Sequence, residues 1–365
     1  MKIIVSGGGT GGHIYPALTL IDAIKKKRPD AEFLYVGTEK GLEADIVPKA
    51  GINFTALKLE GGLERHFTLA NISRAANAIW SIKHAADIIK NFKPSVVVGT
   101  GGYVCGPILL AASLMKVPTL IQEQNAVAGV TNKILSKFVD KIAVGTSNAL
   151  KNFPSGKTIY TGNPIRAEVL LAWKEDGLKE FNFTEDKPVV LISGGSRGAR
   201  SINNAMIDVL KSEAVKDRAQ FLHVTGKGEF ESVTSKLPAD VLDAPNIKVV
   251  PYLYNMPQAM AMADLAIFRA GATGLAELTA RGVPAILIPY PFAAENHQEF
   301  NARALVEAGA AKMILNKDLT AEVLSKALDE LLFSPEKLEA MSKASLSLGR
   351  PQAADEIADL ILEMI

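Results

Sequence analysis

The chain has 365 residues, 48% of them hydrophobic and 22% charged, and its 40 basic and 39 acidic side chains leave a formal net charge of +1. That length favours two domains over one, and the near-neutral balance gives no electrostatic case for nucleic acid or any highly charged partner. One cysteine, Cys105, excludes a disulfide framework and a cysteine-only metal site, and fits a reducing cytosol. The opening Met1-Lys2-Ile3-Ile4-Val5 runs at once into glycines, too short an apolar stretch for a secretory signal. No run reaches the roughly 20 apolar residues of a spanning helix, so membrane contact is expected to be peripheral.

In chain order, Ile3-Ile4-Val5, Phe33-Leu34-Tyr35-Val36, Val96-Val97-Val98, Thr119-Leu120-Ile121 and Lys141-Ile142-Ala143-Val144 read as buried parallel strands. Helical patterns over Tyr15 to Lys27 and Leu69 to Lys90 lie between them. Repeated βα units of this kind predict an α/β, doubly wound sheet. The pattern then restarts with Val189-Val190-Leu191-Ile192, followed by Phe221 to Val224, Ile247 to Val250, Leu265 to Phe268 and Ala285 to Ile288. Two Rossmann-like halves are the economical reading, joined at the turn-rich Thr161-Gly162-Asn163-Pro164. The domains expected are 1–163 and 164–345, followed by a helix within 346–365. Ile357, Leu360, Ile361 and Met364 give that helix an apolar side that can pack on either domain. The polar stretch Lys174 to Lys187 reads as surface of the second half.

Each half opens with a glycine loop. Gly7-Gly8-Gly9-Thr10-Gly11-Gly12-His13 follows a strand and starts a helix, where exposed N–H groups favour an anion or an oxygen-rich ligand. Gly7, Gly9 and Gly12 match a dinucleotide fingerprint, but the second strand ends Tyr35-Val36-Gly37-Thr38, with no acid to read a ribose. A purely structural turn is the competing reading. His13 reads equally as a general base, since histidine is a residue type that exchanges protons near neutral pH, or as a helix-start histidine bonded to backbone. In Gly194-Gly195-Ser196-Arg197-Gly198-Ala199-Arg200, Ser196 can donate to a phosphate, unless the loop is again only a turn. Arg166 beside the hinge reads as a diphosphate ligand or a surface arginine. Glu277, in the helix that follows Gly271 and stops at Gly282, can accept two ribose hydroxyls or merely face the helix dipole. Glu295-Asn296-His297-Gln298 reads as a sugar-reading segment or a solvated loop. Asp-x-Asp, His-x-x-x-His, Cys-x-x-Cys and a Walker lysine are all absent, so no metal or cofactor is signalled. Between Leu63 and Lys90, Arg65, His66, Arg74, Lys83, His84 and Lys90 accompany Leu69, Ile72, Ile79, Trp80 and Ile82. This basic amphipathic stretch suits either an anionic membrane surface or a helix covering the sheet.

Taken together, these motifs resemble the MurG family over nearly the whole chain. The likeness rests on Gly8-Gly9-Thr10-Gly11-Gly12-His13, Gly101-Gly102-Tyr103-Val104-Cys105-Gly106-Pro107, Glu123-Gln124-Asn125, Gly129-Val130-Thr131-Asn132-Lys133 and Gly162-Asn163-Pro164-Ile165-Arg166. It continues through Gly194 to Arg200, Arg269-Ala270-Gly271-Ala272 with Glu277, and His297-Gln298 with Asn301-Ala302. The resemblance implies a GT-B architecture, two Rossmann-like domains facing a cleft. It implies transfer of N-acetylglucosamine from UDP-N-acetylglucosamine to undecaprenyl-diphosphate-linked muramyl-pentapeptide, lipid I becoming lipid II, for peptidoglycan synthesis. It implies that His13 is the base, that Thr10, Gly11 and Gly12 line the cleft, and that Asn125 contacts the transferred sugar. Arg166 and Ser196 would hold the diphosphate. Leu253 and the loop Ala272, Thr273, Gly274, Leu275, Ala276 would surround uracil and the phosphates. Glu277 would take the ribose, and Gln298 would read the N-acetylglucosamine. The implied location is the cytoplasmic face of the membrane, on an anionic surface, with wall-synthesis and division proteins as further partners. Glu295-Asn296, Thr273-Gly274 and Arg197 depart from the pattern expected on the donor side. The alternatives are a UDP-N-acetylglucosamine 2-epimerase and a non-catalytic membrane-associated scaffold that binds nucleotide sugar.

Overall fold

The computed structural model describes residues 1–57, 70–212 and 218–365, the side chains of 70–79 excepted. These residues form two compact units, Met1–Ile165 with Gln352–Ile365, and Arg166–Pro351. Arg65, His66 and Leu69 lie outside the described residues, as do the side chains of Ile72, Arg74 and Ile79.

The first unit holds a parallel sheet of β1 (Lys2–Ser6), β2 (Glu32–Thr38), β3 (Asn53–Leu57), β4 (Val96–Gly99), β5 (Thr119–Glu123), β6 (Lys141–Val144) and β7 (Thr158–Tyr160). Their spatial order is β3-β2-β1-β4-β5-β6-β7. Strands β1 and β4 are buried on both faces, which is why they read as unbroken β-branched runs. Ile4 and Val97 meet the helix Cys105–Leu114 on one face, while Ile3, Val5 and Val98 meet the helix Gly11–Lys27 on the other. The tail helix Ala353–Leu362 buries Ile357 and Ile361 against Leu20 and Ile24 of Gly11–Lys27. A Lys27–Asp359 ion pair at 2.6 Å ties the same two helices together.

The second unit repeats the plan with β8 (Val189–Ser193), β9 (Gln220–Val224), β10 (Ile247–Val250), β11 (Leu265–Phe268), β12 (Ala285–Leu287) and β13 (Ala311–Met313), all pairs parallel. The order is β10-β9-β8-β11-β12-β13. The segment from Lys174 is not wholly surface: Lys174–Phe181 is a helix whose Gly177 and Leu178 are buried. Gly177 allows the close approach of the helix Met256–Met262, since a Cβ there would stand 2.4 Å from the Gln258 carbonyl oxygen.

In each sheet the strand order reverses between two neighbours, β1 and β4 in one and β8 and β11 in the other. Doubly wound sheets bind ligands beyond the carboxyl ends of strands at such switch points. Both glycine loops begin there.

Candidate functional sites at the two switch points

In the first unit β1 runs into the loop and the helix starts at Gly11, with Thr10 extended before it. Thr10 and Gly12 are exposed, Gly11 and His13 half-buried. The loop lies against the turn after β4. Gly8 N–H donates to the Gly101 carbonyl at 3.2 Å, and a Cβ on Gly102 would stand 2.4 Å from the Gly8 oxygen. Only glycine permits this backbone-on-backbone contact. Thr100 Oγ1 donates to the His13 carbonyl at 2.7 Å, and Tyr35 hydroxyl to the Gly7 carbonyl at 2.7 Å. Burial pushes the Tyr35 phenol well above its ordinary value, so it stays a neutral donor.

The His13 ring is fixed from both sides. Its Nδ1 lies 2.9 Å from the Gly8 carbonyl, an acceptor only, so Nδ1 carries the hydrogen and Nε2 the lone pair. Its other edge covers Gly101, where a Cβ would come within 2.9 Å of Cδ2 and 3.1 Å of Nε2. The two readings of His13 are therefore compatible: one nitrogen bonds backbone, and the other remains able to accept a proton.

Sequence reading missed the residue beneath this loop. Glu43 is fully buried and accepts from Gly9 N–H at 3.1 Å, Thr38 N–H at 3.0 Å and Thr38 Oγ1 at 2.7 Å. The acid absent from the end of β2 is thus supplied five residues after Thr38, and it faces the loop. Gly8 and Gly41 lie against this carboxyl group and Gly37 against the Glu43 Cγ, each too close to carry a Cβ. The crowding of glycines around Gly41-Leu42-Glu43 was the one available sequence signal.

Asn125 follows β5 and is half-buried. Glu123 Oε1 accepts from its N–H at 3.0 Å and from its side-chain Nδ2 at 3.2 Å. Glu123 Oε2 accepts from Gly129 N–H at 3.1 Å and Asn132 Nδ2 at 2.9 Å, which fixes the next helix, Val130–Leu135. Behind it, Gln122 Nε2 donates to Asn163 Oδ1 at 2.8 Å, and Asn163 Nδ2 donates to the Gln124 carbonyl at 3.0 Å. Asn163 of the supposed hinge is therefore held inside the first unit.

In the second unit the loop Gly194 to Ala199 leaves β8 and leads to the helix Arg200–Lys211. Ser196 and Arg197 are exposed. Gly198 has φ +76 and sits where a Cβ would come within 1.9 Å of the Thr225 carbonyl oxygen, so two backbone turns lock together. Leu253 is half-buried between β10 and Met256–Met262.

The segment 272–276, a loop in the family resemblance, opens the helix that the sequence places after Gly271. Ala272–Arg281 starts directly after Gly271, because Gly271 is extended and the Leu275 N–H already bonds its carbonyl at 3.0 Å. Ala272, Thr273 and Gly274 thus form a first helical turn whose N–H groups point out of the helix end. Leu275 is buried and Ala276 half-buried. Glu277 lies beyond the first turn, 3% exposed, and accepts from Arg166 Nε at 2.8 Å. The two residues assigned separately to ribose and diphosphate are therefore one ion pair. The segment 295–298 is likewise not a plain loop: Asn296 is left-handed and the helix His297–Glu307 starts after it. Gln298 Oε1 accepts from Tyr290 N–H at 2.9 Å, so its amide orientation is set. Arg269 frames this end, donating to the Ile288 and Pro289 carbonyls and to Asn316 at 3.0, 3.1 and 2.9 Å. Among the described residues no group of three His, Cys, Asp or Glu side chains is placed to hold a metal ion.

Two family descriptions match successive parts of the chain. The description "Glycosyltransferase family 28 N-terminal domain" matches residues 3–144, and "Glycosyltransferase family 28 C-terminal domain" matches 189–357. A Desulforamulus reducens protein named UDP-N-acetylglucosamine–N-acetylmuramyl-(pentapeptide) pyrophosphoryl-undecaprenol N-acetylglucosamine transferase is 46% identical, covering 100% of this chain and 99% of its own. The chain belongs to the MurG family of glycosyltransferases. A Listeria welshimeri protein of the same name is also 46% identical, over 99% of both chains. The crystal structure of Acinetobacter baumannii MurG matches with a TM-score of 0.81 and 28% identity, covering 99% of each chain. This family 28 enzyme therefore has the GT-B fold, with two parallel-sheet Rossmann-like domains. A UDP-GlcNAc 2-epimerase from Neisseria meningitidis shares that fold at a TM-score of 0.68 but only 17% identity.

Proposed function

We infer that this chain transfers N-acetylglucosamine from UDP-N-acetylglucosamine to the C4 hydroxyl of undecaprenyl-diphosphate-linked N-acetylmuramyl-pentapeptide. The observation that carries this reading is 46% identity along the full chain to enzymes named for that reaction. The reaction is a single inverting displacement. The acceptor C4 oxygen attacks the anomeric carbon, His13 Nε2 takes its proton, and the bond to the diphosphate oxygen breaks with its electron pair leaving on UDP. A proton acceptor with its tautomer fixed by Gly8 is what this step needs.

Asn125 contacts the transferred sugar, and Thr10, Gly11 and Gly12 shape the acceptor side. Ser196 and the helix starts at Ala272 and Arg200 receive the diphosphate, where oriented N–H groups stabilise the charge that develops on the leaving group. Arg166 brings a cation to the same unit and orients Glu277, whose carboxylate takes the ribose hydroxyls. Leu253 with residues 272–276 borders uracil, and Gln298 reads the N-acetylglucosamine. The decisive assay measures UDP release with and without a short-chain lipid I analogue, EDTA being present in a parallel arm. Acceptor-dependent release, unchanged by EDTA, is expected. Epimerised donor formed without acceptor points to the 2-epimerase, and binding without turnover points to a scaffold.

The site of work is the cytoplasmic face of the membrane, by peripheral attachment to an anionic surface. No helix of the described residues is long and apolar enough to cross a membrane. On the helix Ala70–Phe92, Trp80 is half-exposed and Lys83 exposed, a combination suited to an interface. Charge reversal at Arg74 and Lys83 should weaken sedimentation with anionic liposomes. Unchanged binding makes the stretch a covering helix only.

A further inference from the structure

We propose that Glu43 is a positioning residue for His13, acting through the single peptide group between Gly8 and Gly9. This rests on the reading of His13 as the proton acceptor. The N–H of that peptide group donates to Glu43 Oε2 at 3.1 Å, and its carbonyl lies 2.9 Å from His13 Nδ1. Carboxylate, amide and imidazole therefore form one hydrogen-bonded chain: Oε2···H–N–C=O···H–Nδ1. In such a chain each bond polarises the next, strengthening it by roughly 10–30%. A negative group at the N–H end makes the Gly8 oxygen a better acceptor. That holds the hydrogen on Nδ1 and leaves the lone pair on Nε2. The logic is that of a carboxylate–histidine dyad with an amide interposed.

The surroundings of Glu43 support a role beyond packing. It is fully buried, and its bonds come from neutral donors, Thr38 and Gly9, with no ion pair recorded for it among the described residues. A buried carboxyl group without a cation is costly, and a loop that needed only rigidity would do better with an apolar filler. Three glycines make room for it: a Cβ at Gly8, Gly37 or Gly41 would come within 2.6, 2.5 or 2.2 Å of its side chain.

Four measurements test this. In Glu43→Gln, kcat should fall about tenfold while UDP-N-acetylglucosamine affinity, set in the other unit, stays unchanged. Nitrogen-15 NMR of the His13 ring, assigned by its loss in His13→Ala, should show Nδ1–H in the wild type and a tautomer mixture in Glu43→Gln. In a His13→Ala background, Glu43→Gln should cause no further loss, because both act through one group. Gly41→Ala keeps both residues but displaces the carboxylate, so it should reproduce the kcat loss even if Glu43→Gln does not fold. Unchanged kcat and tautomer in a folded Glu43→Gln protein overturn the inference, as does a full additional loss in the double variant. If His13→Ala itself retains turnover, the base reading fails instead, and the two failures are told apart.

Discussion

The two glycine loops share a plan and differ in what holds them. The first is tied down by side chains: Tyr35 and Thr100 from neighbouring strand ends, and Glu43 from below. It ends in an imidazole fixed to its own backbone. The second is held by backbone against backbone, Gly198 against Thr225 and Gly226, and it exposes a serine and an arginine. One switch point is furnished to hold a single proton-accepting ring in place. The other leaves a hydroxyl and a guanidinium exposed, which the proposed function gives to an anionic ligand. On the proposed function, the same strand–loop–helix unit would support acid–base chemistry in one copy and charge recognition in the other.

The sharpest way to break this comparison is His13→Ala. Loss of a general base should lower kcat by about 10²–10⁴-fold with donor affinity intact. Near-wild-type turnover in steady-state assays would remove the acid–base half of the contrast. Next, Gly198→Ala should destabilise the second unit by at least ~2 kcal/mol, because positive φ and a collision with the Thr225 carbonyl act together. Gly195→Ala, with φ +88 but nothing within 4 Å, should cost only ~1 kcal/mol. Equal shifts in urea midpoint for the two variants would show that the backbone lock is not what holds the loop. Arg166→Ala should weaken donor binding about 10- to 100-fold in calorimetry, since it removes a cation and leaves buried Glu277 unpaired. Unaltered affinity places the pair outside donor recognition.

The most gradual effect is a pH dependence confined to the second unit. His223 is buried, its Nε2 lies 3.0 Å from Asn203 Oδ1, and burial lowers its pKa from 6.5 to about 4. Between those values the unfolded chain binds more protons than the folded one, so stability is lost as pH falls from 6.5 towards 4. The difference in unfolding free energy between wild type and His223→Gln should slope by about 1.4 kcal/mol per pH unit in that window. A flat difference in urea titrations shows that the imidazole is hydrated or paired after all.

The central strands were legible because both faces are covered, which forces apolar runs such as Ile3 to Val5 and Val189 to Ile192. The strands that sequence reading missed, β3, β7 and β13, all lie at sheet edges, where Asn53, Thr158 and Lys312 are tolerated. The glycine loops and the helix after Gly271 were legible through residue type. Pairings across long separations were also hidden. Arg166 meets Glu277 over 111 positions, and Glu43 meets Gly9 over 34, and no local period records either.

The helix Ala353–Leu362 has a consequence for synthesis on the ribosome. Residues 1–165 emerge first, yet Leu20 and Ile24 are covered by Ile357 and Ile361, which are translated after the whole of Arg166–Pro351. At ~5–20 residues per second, that cover arrives about ten to forty seconds late. For that interval the nascent first unit carries an open apolar seam on Gly11–Lys27, a surface for chaperones to shield until the last turn of chain is made.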